Sequence, residues 1–136
     1  MTGDKKPGVT LEARNEDGST EQVTIEFGPD GLLPVVVQED GSKMVLLVAF
    51  MNREAFDLTR QTGLAHFWSR SRQQLWLKGA TSGDYLKVTS LAVNCEENSL
   101  LVTVTLLGQA ACHTGHKSCY YRELVAAGPT QPAEPV

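Results

Sequence analysis

The sequence has little of what marks nucleic-acid-binding and membrane proteins. Its 136 residues include 12 Lys and Arg against 16 Asp and Glu, which gives a net charge of −4 and a pI of about 5.3. This balance argues against a protein that binds nucleic acid through a broad basic face. No apolar run approaches the roughly 18 residues of a membrane-spanning helix. We therefore expect neither a nucleic-acid nor a membrane partner, whereas a phosphorylated small molecule needs only a few local cations.

Cysteine is also scarce, with three residues in the chain: Cys95, Cys112 and Cys119. An odd count in a reducing compartment argues against a disulfide framework and leaves buried thiols or metal ligands. The first ten residues carry two lysines with no apolar stretch behind them, so we expect no signal peptide and a cytoplasmic location.

The length suits one domain. We assign it to residues 9–125, preceded by a flexible N-terminus over 1–8 and followed by a disordered, proline-rich tail over 126–136. A first hairpin is expected over 9–27, where two alternating segments flank turn residues at 16–19. Two interpretations of this hairpin stay open: part of the main sheet, or a peripheral addition.

The rest of the pattern is mostly strand. Apolar runs at 32–38 and 44–51 predict a second hairpin, and their near-continuous apolar character predicts burial on both faces. Further strands are predicted over 64–70, 88–95, 99–107 and 119–124, with a loop over 108–118 before the last.

One helix is predicted over residues 53–62. Asn52 is a good N-cap, Gly63 suits the left-handed position after the last turn, and Met51 and Phe56 occupy hydrophobic-staple positions. A single helix with several mostly antiparallel strands predicts an α+β fold.

The segment 111–119, ACHTGHKSC, places two histidines between two cysteines. These are plausible ligands of a soft metal, although the spacing is not that of a standard zinc finger. Adding Cys95 gives three thiolates, and three protein ligands with an open fourth position are typical of catalytic zinc. Structural thiols with polar loop histidines remain the alternative interpretation.

A second polar stretch runs through FWSRSR at 67–72 to GATSG at 79–83. Arg70 and Arg72 would share a face if they lay on a strand, and paired guanidinium groups suit phosphate. Thr81 and Ser82 could offer hydroxyl groups to the same anion. The alternative is a basic strand edge that deters aggregation.

The third stretch is NCEEN at 94–98. By itself it is typical of an acidic turn between two strands. If it were extended, Asn94, Glu96 and Asn98 would share one face, and Cys95 would point the other way, so that one short segment could serve two sites.

These stretches, in this order, resemble the phosphoribosyl-AMP cyclohydrolases, which carry out the third step of histidine biosynthesis. The likeness covers residues 31–123, and several separated motifs in one order are more specific than any one alone. The matching segments are LLPVVVQ, AFMNREAF, FWSRSRQQLWLKGATSG, NCEENSLLV and ACHTGHKSCYYR.

The resemblance implies an intertwined homodimer with a β-grasp-like fold. It implies hydrolysis of the N1–C6 bond of the adenine ring of phosphoribosyl-AMP by a zinc-bound water, giving an open formimino carboxamide ribotide. One zinc per subunit would be held by Cys112, Cys119 and the partner chain's copy of Cys95.

Other roles are assigned residue by residue. His113, next to a ligand cysteine, is our candidate for the general base. Six residues are expected to bind the phosphorylated nucleotide: Trp68, Arg70, Arg72, Lys78, Thr81 and Ser82.

This sequence departs from the family at 94–98. The family has three aspartates that bind magnesium where Asn94, Glu96 and Asn98 stand here. Since magnesium prefers carboxylate oxygens, we expect a degenerate site that binds it more weakly. Two alternatives follow: a related zinc hydrolase acting on another phosphorylated purine, and a non-catalytic, zinc-stabilised nucleotide-binding protein.

Overall fold

A computed structural model describes residues 8–125, so the two predicted terminal segments lie outside the described residues, apart from Gly8. Eight strands and one helix follow one another within these described residues. Their bounds are β1 Val9–Arg14, β2 Thr20–Ile25, β3 Leu33–Glu39, β4 Val45–Met51, α1 Arg53–Thr62, β5 His66–Ser69, β6 Gln74–Leu77, β7 Leu86–Val93 and β8 Leu100–Leu106.

The strands form three sheets. A four-stranded sheet has the order β4-β3-β8-β7, while β1 pairs with β2 and β5 pairs with β6. All pairs are antiparallel except β3 and β8, which run parallel with Val36 opposite Leu101. The α+β class is confirmed, and the central parallel pair makes the main sheet mixed.

Helix α1 begins and ends where the sequence predicts. The side chain of Asn52 accepts a hydrogen bond from the Ala55 backbone N–H at 2.8 Å, which satisfies one of the free donors of the first turn. Gly63 takes a left-handed conformation, with φ of 78°, and closes the last turn onto the carbonyl of Thr59. Ala55, Phe56 and Thr59 form the buried side of the helix.

The core lies between the helix and one face of the four-stranded sheet. Leu33, Val35 and Val37 of β3 and Val102 and Val104 of β8 point into it and are almost fully buried. Val9 and Ile25 of the first hairpin belong to the same core, and the backbone N–H of Glu26 donates to the carbonyl of Glu97 at 2.8 Å. The first hairpin therefore packs on the main domain.

The predicted burial of the second hairpin on both faces is wrong for a single chain. Val48 of β4 is 48% exposed, and Leu101 of β8 is 38% exposed. In the register of the sheet, Val48 and Leu101 both lie opposite Val36 of β3, and Leu101 also lies opposite Ala92 of β7. These four side chains form an apolar row across the outer face of the sheet, named here the outer row.

The strand predicted over 119–124 is wrong, and two arrangements that depended on an extended backbone do not occur. Residues 119–124 form no strand, because the backbone at Ser118 and Cys119 turns onto β4 instead. Residues 70–73 form the turn between β5 and the unpredicted strand β6, so Arg70 and Arg72 do not share a strand face. Residues 94–98 form a turn rather than an extended segment. In the part of the chain described here, no helix has the length and apolar character needed to cross a membrane.

Candidate metal centre and substrate pocket

Cys112 and Cys119 are brought together by a tight loop, called here the cysteine loop, over residues 111–119. Within it, Ala111 N–H donates to the carbonyl of Lys117 at 3.0 Å, and Cys112 N–H donates to the carbonyl of His116 at 3.1 Å. Gly115, with φ of 92°, takes a backbone conformation that other residues rarely adopt. The loop therefore turns back on itself between the two cysteines.

The main sheet holds the end of this loop. Cys119 N–H donates to the carbonyl of Leu46 at 2.8 Å, and the Ser118 hydroxyl donates to the carbonyl of Val45 at 2.7 Å, both on β4. Lys117 forms an ion pair of 2.8 Å with Glu39 at the end of β3. Hydrogen bonds from Lys117 and Ser42 hold the pKa of the Glu39 carboxyl below its ordinary value.

The thiol groups of Cys112 and Cys119 are close enough to act on each other's pKa, and their pKa values move apart. Hydrogen bonds from Thr114 lower the pKa of Cys112, with smaller contributions from Cys119 and from the positive charge of Lys78. Burial and the neighbouring Cys112 raise the pKa of Cys119. Cys112 is therefore the first of the pair to become a thiolate, which is the form that binds metal.

A short polar chain supports Cys112. The Thr114 hydroxyl lies 2.9 Å from Cys112 Sγ and 2.9 Å from Nδ1 of His116. The imidazole of His116 stacks on the ring of Tyr121, with the ring centroids 3.5 Å apart and the planes within 2° of parallel. A threonine hydroxyl has one hydrogen, so if it donates to the sulfur it accepts from His116 Nδ1–H, which leaves Nε2 of His116 as the proton acceptor. His113, our sequence candidate for the base, is exposed beside Cys112.

Asp84 joins the loop after β6 to the segment that leads from β8 into the cysteine loop, and its role was not predicted from the sequence. Its carboxylate accepts the Gln109 backbone N–H at 2.9 Å, and this bond is the main reason that its pKa lies below the ordinary value. Lys78 is buried, lies with its ammonium group 5.2 Å from the Trp76 ring centroid, and helps to lower the pKa of Asp84. The only sequence signal was an aspartate directly after the Gly79–Gly83 turn.

Trp68 and Arg70 line a pocket of about 530 Å³ beside the start of α1. Arg53 and Asn52 lie on its other side, and Phe27 and Leu32 supply apolar lining. The Arg70 guanidinium group lies 4.0 Å over the ring of Phe50, and this contact fixes its planar fork. The Arg53 guanidinium group is paired with Asp57 at 3.1 Å, and Asp30 and Glu54 also line the pocket. The aromatic ring of Trp68 and the guanidinium group of Arg70 are the groups that suit a base and a phosphate.

The other predicted substrate residues lie outside the lining of this pocket. Arg72 is exposed in the β5–β6 turn, where its backbone N–H donates to the Ser69 hydroxyl at 3.2 Å. Thr81 and Ser82 are exposed in the loop that ends at Asp84, and the Ser82 hydroxyl accepts the Asp84 N–H at 3.1 Å. The six residues are thus not gathered in one pocket: Lys78, Thr81 and Ser82 lie at or next to the loop that contains Asp84.

Cys95 does not join the other two cysteines within one chain. It is exposed at the turn between β7 and β8, and residues 8–125 contain no group of three His, Cys, Asp or Glu side chains placed to hold a metal ion. The described residues of one chain therefore bring two thiol groups together, one fewer than the three protein ligands typical of a catalytic zinc.

Comparison with known proteins gives one consistent result. The family model for phosphoribosyl-AMP cyclohydrolase matches residues 47–121. A phosphoribosyl-AMP cyclohydrolase from Methanospirillum hungatei is 49% identical over 108 residues, covering 79% of this chain and 82% of the relative. Its counterpart from Erythrobacter litoralis is 52% identical over 99 residues, covering 73% and 78%. One from Methanosarcina barkeri is 54% identical over 94 residues, covering 69% and 72%.

Proposed function

Because this chain belongs to the phosphoribosyl-AMP cyclohydrolase family, we propose that it opens the adenine ring of phosphoribosyl-AMP by adding water. The oxygen of water bonds to C6, the N1–C6 bond breaks, and N1 takes up a proton. The product is the formimino carboxamide ribotide of the third step of histidine biosynthesis. The convergence of Cys112 and Cys119 in a loop fixed to the main sheet is the structural observation that carries this proposal.

The chemistry of these residues fits zinc. Two adjacent thiol groups, one of them with a lowered pKa, are soft ligands of the kind that zinc takes. Cys95 of a second subunit would complete a set of three. When bound, zinc lowers the pKa of a coordinated water toward about 7 and so supplies a nucleophile near neutral pH.

The chain's own residues would accept a proton, balance the charge of the thiolates and hold a ligand in place. His113 stays our candidate for the base that takes the proton of the attacking water, since it is exposed directly beside Cys112. Lys78, whose positive charge acts on both cysteines, would balance the negative charge of the thiolates. Thr114 would hold the Cys112 sulfur in place.

Substrate binding is proposed for both surface regions. Trp68 would stack on the base and Arg70 would pair with a phosphate in the pocket beside α1. Arg72, Thr81 and Ser82, all exposed, would reach the second phosphate. Binding through the two distant phosphates would position C6 without contacts that must break during the reaction.

The outer row supports a homodimer. Apolar side chains in register across four strands, two of them more than a third exposed, are what a second copy would cover. Such a contact would also explain why β3 and β4 carry apolar residues on both faces over most of their length. A symmetric pair would exchange Cys95 in both directions and complete two equivalent sites.

The deciding experiment is a turnover assay with zinc retained. Ring opening changes the ultraviolet absorbance of the purine, so hydrolysis of phosphoribosyl-AMP can be followed directly. We expect turnover in the wild type and in Glu12→Ala, an exposed position on the first hairpin, and loss in Cys112→Ala and Cys119→Ala. A zinc-loaded, dimeric wild-type protein without turnover would contradict the proposal.

A further inference from the structure

The turn between β7 and β8 is closed by its own two asparagine side chains. Asn94 Oδ1 accepts the backbone N–H groups of Asn98 and Ser99, each at 2.9 Å, and Asn94 Nδ2 donates to Asn98 Oδ1 at 2.7 Å. Two N–H donors require an oxygen, so the orientation of the Asn94 amide is fixed. Both lone-pair directions of Asn94 Oδ1 are used within the turn.

These contacts leave a poor donor set for magnesium. Magnesium prefers charged oxygen ligands in a near-octahedral arrangement. Of the three positions that family resemblance assigns to it, 94 offers no free lone pair, 98 already accepts a hydrogen bond, and Glu96 brings the single negative charge. The residues of this turn therefore do not fit the ion.

We propose that the hydrogen bond between Asn94 and Asn98, named here the amide clasp, closes this turn in place of a divalent cation. Carboxylates at both positions would bring two negatively charged oxygens together at the same contact, and such a pair is stable only with a proton or a cation between them. The neutral amides replace that repulsion with an attractive N–H···O contact. The turn is thus closed at any magnesium concentration.

The clasp also sets the position of Cys95. This residue follows Asn94 in a turn that is closed by the Glu97 N–H and the Asn94 carbonyl at 2.9 Å, and Glu97 is itself held by Glu26 at the end of β2. The backbone that carries the Cys95 thiol is therefore held in place without help from a metal. That position matters for zinc only if the proposed function holds, whereas the cation preference of the turn does not depend on it.

Cation binding is measured first, on zinc-replete full-length protein freed of other divalent ions. Manganese serves as the probe, because its free form has a paramagnetic resonance signal that bound manganese loses. In the wild type we expect no manganese binding that depends on Glu96. The double variant Asn94→Asp/Asn98→Asp has carboxylates at all three positions, and we expect it to bind manganese at least about tenfold more tightly than the wild type does. Wild-type binding of one manganese per chain that Glu96→Gln abolishes would overturn the proposal.

Thermal unfolding then tests whether the clasp holds the turn. Asn98→Ala removes the acceptor, and we expect Tm to fall by about 3 °C, equally with and without magnesium. The double aspartate variant should lose stability without magnesium and regain it when magnesium is added. An unchanged Tm in Asn98→Ala, or a fall that magnesium reverses, would refute the clasp. Neither readout uses phosphoribosyl-AMP, so an inactive protein with the expected cation behaviour would count against the proposed function alone.

Discussion

Asp84 occupies the space in which a side chain at position 108 would stand. A Cβ atom built on Gly108 would lie 1.8 Å from Asp84 Oδ1 and 2.7 Å from its Cγ. The close approach lets the same carboxylate accept the N–H of Gln109, the next residue along the chain. The path from β8 into the cysteine loop is therefore fixed by one carboxylate and by the absence of one methyl group.

We expect Gly108→Ala to be destabilising, because Asp84 must move and lose its hydrogen bond. The free energy of unfolding should fall by about 2 kcal/mol, as measured by urea denaturation at fixed protein and zinc concentrations. In an Asp84→Ala background the contacts with Oδ1 and Cγ are gone and the 2.8 Å contact with the Cα atom of residue 84 is left, so the same change should cost at least about 1 kcal/mol less. Equal costs in the two backgrounds would show that the contact is not responsible.

The lowered pKa of Asp84 predicts a defined pH dependence. A carboxyl group whose pKa is lower in the folded state stabilises the fold above its ordinary pKa, about 3.9, and this contribution disappears as the pH falls through the folded pKa. Wild type should therefore exceed Asp84→Asn in stability by a constant amount above about pH 5, and the difference should shrink below about pH 4. Urea midpoints of both proteins at matched pH test this, and a difference that persists at low pH would exclude the charged carboxylate as its source.

Thr114→Val should raise the pKa of Cys112, because it removes the hydroxyl that contributes most to lowering that pKa. After zinc is chelated, alkylation of Cys112 by iodoacetamide should need a higher pH in the variant, since the thiolate is the reactive form. Peptide mass spectrometry gives the rate at each cysteine, and the exposed Cys95 is an internal reference in every sample. Thr114→Ser keeps the hydroxyl group and should react as the wild type does. If the serine variant shifted the pH of Cys112 alkylation as much as Thr114→Val, the lost methyl packing and not the hydrogen bond would be the cause.

Subunit mixing should reveal whether Cys95 acts across a dimer. Neither Cys95→Ala nor Cys112→Ala should be active alone. A dimer of one chain of each kind has one site with all three cysteines, so refolding an equal mixture should recover about a quarter of wild-type activity. If all three ligands came from one chain, every site in the mixture would lack a cysteine and no activity would return.

A charge on the outer row should separate the subunits. Leu101→Lys places an ammonium group among apolar side chains that a second copy would cover. We expect a monomer by size-exclusion chromatography with light scattering, and a lower zinc content because the third thiolate is lost. Gln22→Lys adds the same charge on the exposed part of β2 and should leave the mass unchanged.

Local signals made part of the fold predictable. Asn52 and Gly63 set both ends of α1, and alternation set the first hairpin, because each depends on neighbouring residues alone. The parallel pairing of β3 with β8 depends on chain segments some sixty positions apart, and no local pattern reports it. Strand β6 has four residues, and all four lie in the stretch over 67–83, whose polar and aromatic groups indicate a binding site equally well.

In the candidate site, too, local features were predictable and contacts between distant residues were not. The spacing of Cys112 and Cys119 in a glycine-containing loop indicated a thiol pair, and the family assignment made from the motifs is confirmed. The role of Asp84 could not be predicted, because its partners at 108 and 109 are more than twenty residues away. The closure of residues 94–98 was also missed, since two asparagines read equally well as weak metal ligands or as each other's hydrogen-bond partners.

The attachment of the cysteine loop to β4 imposes an order on folding. Ser118 and Cys119 bond to backbone carbonyls of β4, so the end of the cysteine loop takes its final position only when the β3–β4 hairpin exists. Hairpins of this kind form in microseconds, far sooner than subunits assemble. A newly made chain would therefore bring its two thiol groups together before it pairs with a second subunit. Binding of the proposed zinc would then be the last step of maturation.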